Sequence, residues 1–264
     1  MGIYVVTGGA KGIGAKTVEI LREYNHEVIN VDIGNGDINA DLGTAEGRKS
    51  VIAQLYEHCP DGLDGLVCNA GIGGLPKYKN SYILSVNYFG AVAMAEGLYD
   101  LLKKKKGSCV VTISGAIVYA KRGKYYVDNL LNTSGDEARI GRLVDSFQGS
   151  ASDNIVNVMY LSSKIALSRW VRRVSASWAA NGVNINAVAP GGVATTLMQG
   201  FAIPDADTFC YPMPALFGQN RIMDPTDVAQ ALAFLVLPGA KGINGAVVYC
   251  DAGASAVFDT ERYL

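Results

Sequence analysis

The stretch IYVVTGGAKGIG at residues 3–14 joins an apolar, β-branched run to a glycine-rich turn, and a segment of helical period follows it. A strand, a glycine turn and a helix in this order place backbone amides at a helix N-terminus, where a phosphate group can bind. Glycines there let the backbone turn tightly and approach a pyrophosphate. We therefore expect this segment to bind a dinucleotide through Gly8, Lys11, Gly12, Ile13 and Gly14.

The choice between NAD and NADP depends on two charged residues near this turn. The next apolar run ends at Asp32, whose carboxylate would accept hydrogen bonds from an adenosine ribose and repel a 2′-phosphate. Lys11 has the opposite effect, because its ammonium could pair with a 2′-phosphate. One lysine offsets a desolvated like-charge contact only in part. The sequence thus predicts NAD, and Lys11 leaves NADP open as the alternative.

Similar apolar runs recur along the chain and alternate with longer segments of helical period. This alternation is typical of a parallel sheet with helices on both faces, and uninterrupted apolar runs fit strands buried on both sides. We expect an α/β fold, a single doubly wound (Rossmann) domain over residues 1–264 with about seven parallel strands. The predicted strands are 3–7, 27–31, 64–68, 108–113, 183–188 and 245–249. The predicted helices lie near 12–24, 44–58, 82–104, 158–180 and 225–236.

Two stretches exceed what a minimal doubly wound fold needs, and such additions are usually lids or contact surfaces. The first, at about 119–157, is charged and partly helical in character, and we expect an insertion there. The second, at about 191–222, would be a substrate lid suited to a bulky, weakly polar ketone. Alternatively, its apolar side chains pack in the core or against another subunit. They are Val193, Leu197, Met198, Phe201, Ile203, Phe209, Tyr211, Met213, Leu216 and Phe217.

The composition excludes several classes of protein. The chain carries 23 Lys and Arg against 24 Asp and Glu, so it lacks the positive field typical of nucleic-acid binding. A hydrophobic fraction of 49% and a charged fraction of 18% exclude intrinsic disorder. We expect no membrane insertion, because no apolar run approaches ~18 residues. The five cysteines form no C-x-x-C pair, so we expect no metal, and the absence of a signal sequence predicts a cytoplasmic protein.

Tyr160 and Lys164 stand four positions apart in MYLSSKIALSRWVRRV at residues 159–174, a segment of strong helical character. That spacing places both side chains on one face of a helix, about one turn apart. An ammonium stabilises a neighbouring phenolate, so we expect Lys164 to lower the pKa of Tyr160. A phenol with such a pKa can exchange a proton with a substrate oxygen. Taken alone, the pair is also compatible with one core residue and one surface residue.

Further motifs extend this pattern along the chain. In order they are TGGAKGIG, Asp32, Asp41-Leu42, Asn69-Ala70-Gly71, Asn87 within SVNYFG, Ser114, Tyr160-x-x-x-Lys164, and Pro190-Gly191 with Thr195. This ordered set resembles the short-chain dehydrogenase/reductase family over nearly all 264 residues. The insertion and the strings DLGTAEGRKS, DGLVCNAG and SVNYFGAV are most similar to its bacterial 3α-hydroxysteroid dehydrogenase/carbonyl reductase subgroup.

The resemblance implies a role for each of these residues. Tyr160 would be the acid/base, and Lys164 would lower its pKa and hold the nicotinamide ribose. Ser114 would hydrogen-bond the substrate oxygen, and Asn87 would anchor a water that links Lys164 to solvent. The cofactor contacts outside the glycine turn would come from Asp32, Asp41, Leu42, Asn69, Ala70, Gly71, Tyr160, Lys164, Pro190, Gly191, Val193 and Thr195.

Two features depart from the family pattern. Most members carry Ser-Ser after the fifth core strand and use the second serine, whereas strict register places Gly115 at that position here. Ser114 would serve after a shift of one residue, with Thr112 or a hydroxyl of the insertion as alternatives. The connection from Ser114 to Tyr160 is also much longer than is typical of the family.

The implied activity is the NAD-dependent interconversion of a secondary alcohol and a ketone on a hydrophobic, steroid-like or bile-acid-like substrate. The alternatives are reduction of smaller ketones or 3-oxoacyl thioesters, and a dinucleotide-binding sensor that lacks turnover. The resemblance also implies a homodimer or homotetramer. Trp170 and Trp178 would lie either at a subunit interface or in the core.

Overall fold

The computed structural model of this chain describes residues 1–75, 77–120, 127–147, 158–195 and 222–258. Within these ranges, parallel strands form one seven-stranded sheet in the order β3-β2-β1-β4-β5-β6-β7. The predicted α/β fold with a doubly wound sheet is confirmed. The strands are β1 (Ile3–Thr7), β2 (Glu27–Asp32), β3 (Ile38–Asn39), β4 (Gly65–Cys68), β5 (Ser108–Thr112), β6 (Asn184–Pro190) and β7 (Val247–Cys250).

The strand boundaries agree with the sequence prediction to within two residues, and β3 is the exception because it was not predicted. β3 is two residues long and pairs only with Val31 and Asp32 at the end of β2. A strand this short presents no apolar run or alternation that a sequence pattern could reveal. All residues of β4 and β5 are buried, as expected for strands covered on both faces.

Most of the predicted helices lie where they were expected. The α-helices are α1 (Gly12–Glu23), α2 (Ala45–His58), α3 (Asn80–Leu84), α4 (Ala91–Gly97), α5 (Tyr99–Lys105), α6 (Val127–Ser134), α7 (Glu137–Asp145), α8 (Val158–Ala179), α9 (Pro225–Val236) and α10 (Ala254–Phe258). The single helix predicted near 82–104 was wrong, because a π-helical turn at Ser85–Gly90 and a break at Leu98 divide it. Among the described residues, none of the helices is both long and apolar enough to cross a membrane.

The chain order reverses about β1 and β4, and this reversal positions the site. From β1 the chain proceeds to β2 and β3 on one side, and from β4 it proceeds to β5, β6 and β7 on the other. In an open parallel sheet, the connections that leave in opposite directions open a crevice at the carboxyl ends of these strands. The glycine turn after β1 and the Asn69-Ala70-Gly71 segment after β4 therefore border the same crevice.

The helices α6 and α7 belong to the stretch predicted as an insertion. α6 packs along α8, where Arg169 pairs with Asp128 and Arg173 Nη2 donates to Asn132 Oδ1 at 2.7 Å. α7 packs against α3. The remainder of this stretch, residues 121–126 and 148–157, lies outside the described residues.

The two tryptophans of α8 are buried within the chain itself. The Trp170 indole nitrogen donates to Glu96 Oε1 at 3.3 Å, and the Trp178 ring lies 4.7 Å from that of Tyr99, measured between centroids. Of the two alternatives from sequence, these contacts favour the core over a subunit interface.

Candidate functional site

The glycine turn after β1 is packed so closely that side chains are excluded. Gly8 has φ +69°, and a Cβ there would lie 2.8 Å from Cα of Ala70. A Cβ on Gly14 would lie 2.0 Å from the carbonyl oxygen of Gly8. Because Gly8 has no Cβ, the turn can pack against the loop after β4. Because Gly14 has none, α1 can pack against the turn. Both glycines are therefore required by the backbone packing.

The N-terminus of α1 has the character of an anion site. The residue preceding this helix, Lys11, makes no side-chain capping hydrogen bond, and the first turn contains no acidic residue. A Cβ built on Gly12 would lie 3.1 Å from Cγ2 of Thr195, so Thr195 closes over the turn from the opposite side. A glycine-rich turn at the positive end of a helix fits a pyrophosphate, and thus the predicted dinucleotide.

Asp32 lies beside this turn at the end of β2. Its Oδ2 accepts a hydrogen bond from the Ala10 amide at 3.0 Å, and its Oδ1 accepts one from the Gly34 amide at 3.4 Å. The carboxylate is therefore held next to the glycine turn, at the position where the sequence predicts a ribose contact. The Lys11 residue is exposed.

Asp41 and Leu42 form the loop between β3 and α2. The Asp41 carboxylate accepts hydrogen bonds from the Gly43 amide at 2.8 Å and from the Tyr82 hydroxyl at 3.1 and 3.2 Å, while Leu42 is buried. Burial and the neighbouring Asp41 carboxylate raise the pKa of Tyr82 to about 12. Tyr82 was not assigned from the sequence. The one residue that pointed to it was Gly43, because a Cβ there would lie 2.5 Å from the Tyr82 ring.

Asn69 joins three strands at the carboxyl edge of the sheet. Its backbone amide and that of Ala70 both donate to Thr7 Oγ1 at 3.1 Å, and its side-chain Nδ2 donates to the Gly8 carbonyl at 3.2 Å. The Thr112 hydroxyl donates to Asn69 Oδ1 at 3.2 Å. The Thr112 hydroxyl is thus occupied by its hydrogen bond to Asn69, which argues against the alternative that Thr112 contacts the substrate. Thr7 was not assigned from sequence, although it directly precedes the glycine turn.

Ser114, Tyr160 and Lys164 come together beyond the end of β5. The Ser114 side chain hydrogen-bonds the Tyr160 phenol. Lys164 Nζ lies 5.8 Å from the centroid of the Tyr160 ring and donates to the Thr112 carbonyl at 3.0 Å. Ser114 also accepts from the Ala116 amide at 3.2 Å, which caps a 3₁₀ turn at Gly115–Tyr119. All three side chains are buried, with exposed fractions of 8%, 9% and 4% in that order.

Gly115 differs from Ser114 in its surroundings. A Cβ on Gly115 would lie 3.0 Å from the carbonyl oxygen of Pro190. A side chain at this position would therefore meet the backbone at the end of β6. The hydroxyl next to Tyr160 is supplied by the residue before it.

The pKa values at this cluster are dominated by burial. Burial raises the pKa of Tyr160 above its ordinary value, and the hydrogen bond from Ser114 lowers it in part. Burial lowers the pKa of Lys164 to about 8. The expectation that Lys164 would bring the pKa of Tyr160 below its ordinary value was therefore wrong for this geometry. Desolvation of the phenolate has the larger effect, and the group that opposes it is the Ser114 hydroxyl.

Asn87 is fully buried in the π-helical turn and bonds the backbone of Ile72 twice. Its Oδ1 accepts from the Ile72 amide at 2.8 Å, and its Nδ2 donates to the Ile72 carbonyl at 2.9 Å. A Cβ built on Gly71 would lie 3.3 Å from Asn87 Oδ1 and 3.5 Å from Lys164 Nζ. The Asn69-Ala70-Gly71 segment therefore runs from the glycine turn to Lys164, with Asn87 behind it.

The segment after β6 closes the site on its last side. The Gly191 amide donates to the Cys250 carbonyl at 2.9 Å, and a Cβ on Gly191 would lie 2.8 Å from Cα of Asp251, a residue that sequence analysis missed. Val193 is buried in the core and forms a β-bridge with Met223. Of the alternatives predicted for Val193, a lid, the core or a subunit contact, these contacts favour the core. The other predicted lid side chains, between Leu197 and Phe217, lie outside the described residues.

The contacts described above connect predicted residues along the carboxyl edge of the sheet. Asp32 accepts from the Ala10 amide of the glycine turn, a Cβ on Gly8 would meet Ala70, and a Cβ on Gly71 would lie 3.5 Å from Lys164 Nζ. In the part of the chain that the structure describes, no cluster of three or more His, Cys, Asp or Glu side chains could hold a metal ion. The arrangement leads from a glycine turn suited to a pyrophosphate to a hydrogen-bonded phenol.

Comparisons with known proteins agree on the family. The short chain dehydrogenase model matches residues 3–126, and the Enoyl-(Acyl carrier protein) reductase model matches residues 143–255. The 3-alpha-hydroxysteroid dehydrogenase/carbonyl reductase of Comamonas testosteroni is 35% identical over 266 residues, with 100% of each chain covered. The coniferyl-alcohol dehydrogenase of a Pseudomonas species is 28% identical over 96% of each chain.

Among solved structures, the 3-alpha-hydroxysteroid dehydrogenase from Pseudomonas sp. B-0831 complexed with NADH is similar over 99% of this chain and 100% of its own. The TM-score is 0.87 and the sequence identity is 34%. Both halves of the sequence match models of the family, and a full-length relative exceeds 30% identity. The chain therefore belongs to the short-chain dehydrogenase/reductase family of oxidoreductases.

Proposed function

We propose that this protein is an NAD-dependent oxidoreductase that interconverts a secondary alcohol and a ketone on a hydrophobic, steroid-like substrate. One observation carries the proposal. A buried phenol, Tyr160, is hydrogen-bonded to Ser114 and lies one helical turn from Lys164, whose Nζ lies beside Gly71 in the segment that follows β4. A phenol in such surroundings can exchange a proton with an alcohol or carbonyl oxygen that shares its hydrogen bond with the serine.

The residues of the chain divide the chemistry among them. A bound nicotinamide ring supplies the chemistry that these side chains lack, namely the transfer of a hydride to or from the carbinol carbon. Ser114 binds and orients the reacting oxygen. Tyr160 removes the hydroxyl proton during alcohol oxidation and returns it to the oxygen during ketone reduction. Lys164, whose Nζ donates to the Thr112 carbonyl, would hold the nicotinamide ribose through its ammonium.

The preference for NAD is supported by Asp32. Its carboxylate is held beside the glycine turn by the Ala10 amide, so a 2′-phosphate placed there would meet a fixed negative charge. The solved structure of the Pseudomonas relative contains NADH. The glycine turn, Asp41, Leu42, Asn69, Ala70, Gly71, Pro190, Gly191 and Thr195 complete the proposed cofactor site.

The proposed substrate class rests on two full-length relatives whose sequence identity to this chain exceeds 30%. Both are described as 3-alpha-hydroxysteroid dehydrogenases, and one of them also as a carbonyl reductase. Smaller ketones are therefore the second candidate class. A dinucleotide sensor without turnover would be expected if Gly115, at the position of the family's catalytic serine, left Tyr160 without a neighbouring hydroxyl. It is less favoured, because Ser114 supplies the hydroxyl that Tyr160 contacts.

The proposal can be tested with purified protein, NAD and a panel of hydroxysteroids, bile acids and simple aryl alcohols. We expect reduced nicotinamide to accumulate with one of the steroid classes. Tyr160→Phe should abolish turnover and preserve NADH binding, because it removes only the phenol oxygen. Tyr24→Phe, a matched change at an exposed tyrosine, should leave activity unchanged. NADH binding without turnover on any panel member would instead support the sensor.

A further inference from the structure

Helix α7 of the insertion is anchored at its N-terminal end to the start of α2. Glu137 Oε2 accepts a hydrogen bond from Arg48 Nη2 at 2.6 Å, and the Arg48 side chain is only 7% exposed. Arg48 Nε also donates to the Thr44 carbonyl at 3.1 Å. Through Arg48, Glu137 therefore holds the residue that caps α2 and ends the Asp41–Thr44 loop.

The C-terminal end of α7 is anchored to α3. The Ser81 amide donates to Asp145 Oδ1 at 2.8 Å, and the Ser81 hydroxyl donates to Asp145 Oδ2 at 2.7 Å. Asn80 Nδ2 donates to the Val144 carbonyl at 2.9 Å. The next residue along α3 is Tyr82, whose hydroxyl binds Asp41 and whose ring lies against Gly43.

The two anchors thus reach the two ends of the same four-residue loop. Arg48 holds the last residue of this loop by its hydrogen bond to the Thr44 carbonyl. Tyr82 holds the first residue by its hydrogen bonds to the Asp41 carboxylate. Because α7 is a rigid element of nine residues, it fixes the separation of these two holding points. None of these contacts involves Ser114, Tyr160 or Lys164.

We propose that α7 acts as a splint, that is, as a rigid helix that holds the Asp41–Thr44 loop in place at the adenosine end of the cofactor site. Glu137 and Asp145 are then positioning residues for dinucleotide affinity. The inference rests on the proposed function, since it takes the Asp41–Thr44 loop to border the bound adenosine. A loop held in place before binding loses less conformational entropy when the ligand binds. The splint therefore affects cofactor binding and leaves the proton transfer at Tyr160 unchanged.

The test uses the full-length variants Glu137→Ala and Asp145→Ala. We expect the dissociation constants of NADH and of ADP-ribose, measured by titration calorimetry, to rise about 5-fold to 20-fold in each. The affinity for nicotinamide mononucleotide, and kcat at saturating NAD, should stay within about 2-fold. Amides of residues 41–44 should exchange hydrogen faster in both variants. Glu137→Gln and Asp145→Asn, which can still form a hydrogen bond, should recover most of the affinity.

Asn132→Ala is the matched control, because it removes a hydrogen bond between the same insertion and α8 without touching α2 or α3. Unchanged ADP-ribose affinity in both alanine variants, with wild-type melting temperatures, would overturn the splint and leave the proposed function intact. An equal loss in Asn132→Ala, or an equal loss for nicotinamide mononucleotide, would also overturn it. A wild-type protein that binds no dinucleotide would overturn both proposals.

Discussion

Single side chains set the protonation behaviour of the site. Tyr160 has a pKa raised by burial, so it is a neutral phenol near neutral pH and can donate a proton to a carbonyl oxygen. Oxidation of an alcohol requires the phenolate, which becomes more populated as the pH rises. The hydrogen bond from Ser114 lowers the pKa of Tyr160 in part. Ser114 should therefore affect both the orientation of the substrate and the pH dependence of turnover.

The structure predicts different effects for the two hydroxyls near Tyr160. Ser114→Ala should lower kcat by about 10²-fold or more and move the rise of alcohol oxidation to higher pH. Thr112→Val should mainly weaken cofactor binding, because its hydroxyl braces Asn69. Steady-state kinetics between pH 6 and about 10 would measure both effects. Equal kcat losses in the two variants would contradict the assignment of Ser114.

Lys164 links stability to pH. Its pKa falls from 10.5 to about 8 on folding, so between these pH values the unfolded chain retains a proton that the folded chain has lost. The unfolding free energy of the wild type should therefore rise relative to Lys164→Met as the pH increases from 8 to 10.5, by about 3 kcal/mol in total. Urea denaturation of both proteins at several pH values would measure this. A difference independent of pH would contradict the burial of a titrating Lys164.

Asp32 should determine the choice of dinucleotide. Asp32→Ala removes the fixed negative charge beside the glycine turn, so the ratio of kcat/KM for NAD over NADP should fall by about 10-fold or more. Lys11→Ala should change this ratio in the opposite direction, because it removes the one cation of the turn. Unchanged discrimination in Asp32→Ala would show that another residue contacts the ribose.

At the scale of elements, the packing of α1 against the glycine turn is the feature most sensitive to volume. Gly14→Ala would place a Cβ 2.0 Å from the Gly8 carbonyl, so α1 must move and the turn must open. We expect NADH affinity to fall by at least about 10-fold and stability by about 1–3 kcal/mol. Gly239→Ala is the control, because a Cβ there would meet no atom within 4 Å. Wild-type NADH affinity in Gly14→Ala would contradict the packing described here.

Some elements could be predicted from the local sequence pattern alone. The strand, glycine turn and helix at residues 3–23 follow from apolar runs and glycines, and their positions agree with the prediction. The division of the helix predicted at 82–104 does not follow from such a pattern. Its π-helical turn lets Asn87 bond Ile72, 15 positions away, and a contact at that separation leaves no trace in helical periodicity.

At the scale of the whole molecule, the sequence predicted the doubly wound parallel sheet better than the contacts around the site. Tyr82 and Asp251 were missed because their partners, Asp41 and Gly191, are distant in sequence and become neighbours only after the sheet forms. The sequence left Val193 open between a lid, the core and a subunit contact, because an apolar residue outside a predicted strand fits all three, and its bridge to Met223 favours the core. The expected homodimer or homotetramer stays a prediction that sedimentation equilibrium would test.

The measurement that bears most directly on the proposed function uses a 3α-hydroxysteroid carrying deuterium on its carbinol carbon. After incubation with NAD, we predict that the wild-type protein yields reduced dinucleotide containing one deuterium, and that Tyr160→Phe yields none while still binding NADH. Reduced dinucleotide without the label, or equal labelling by both proteins, would contradict a hydride transfer that depends on proton exchange with Tyr160.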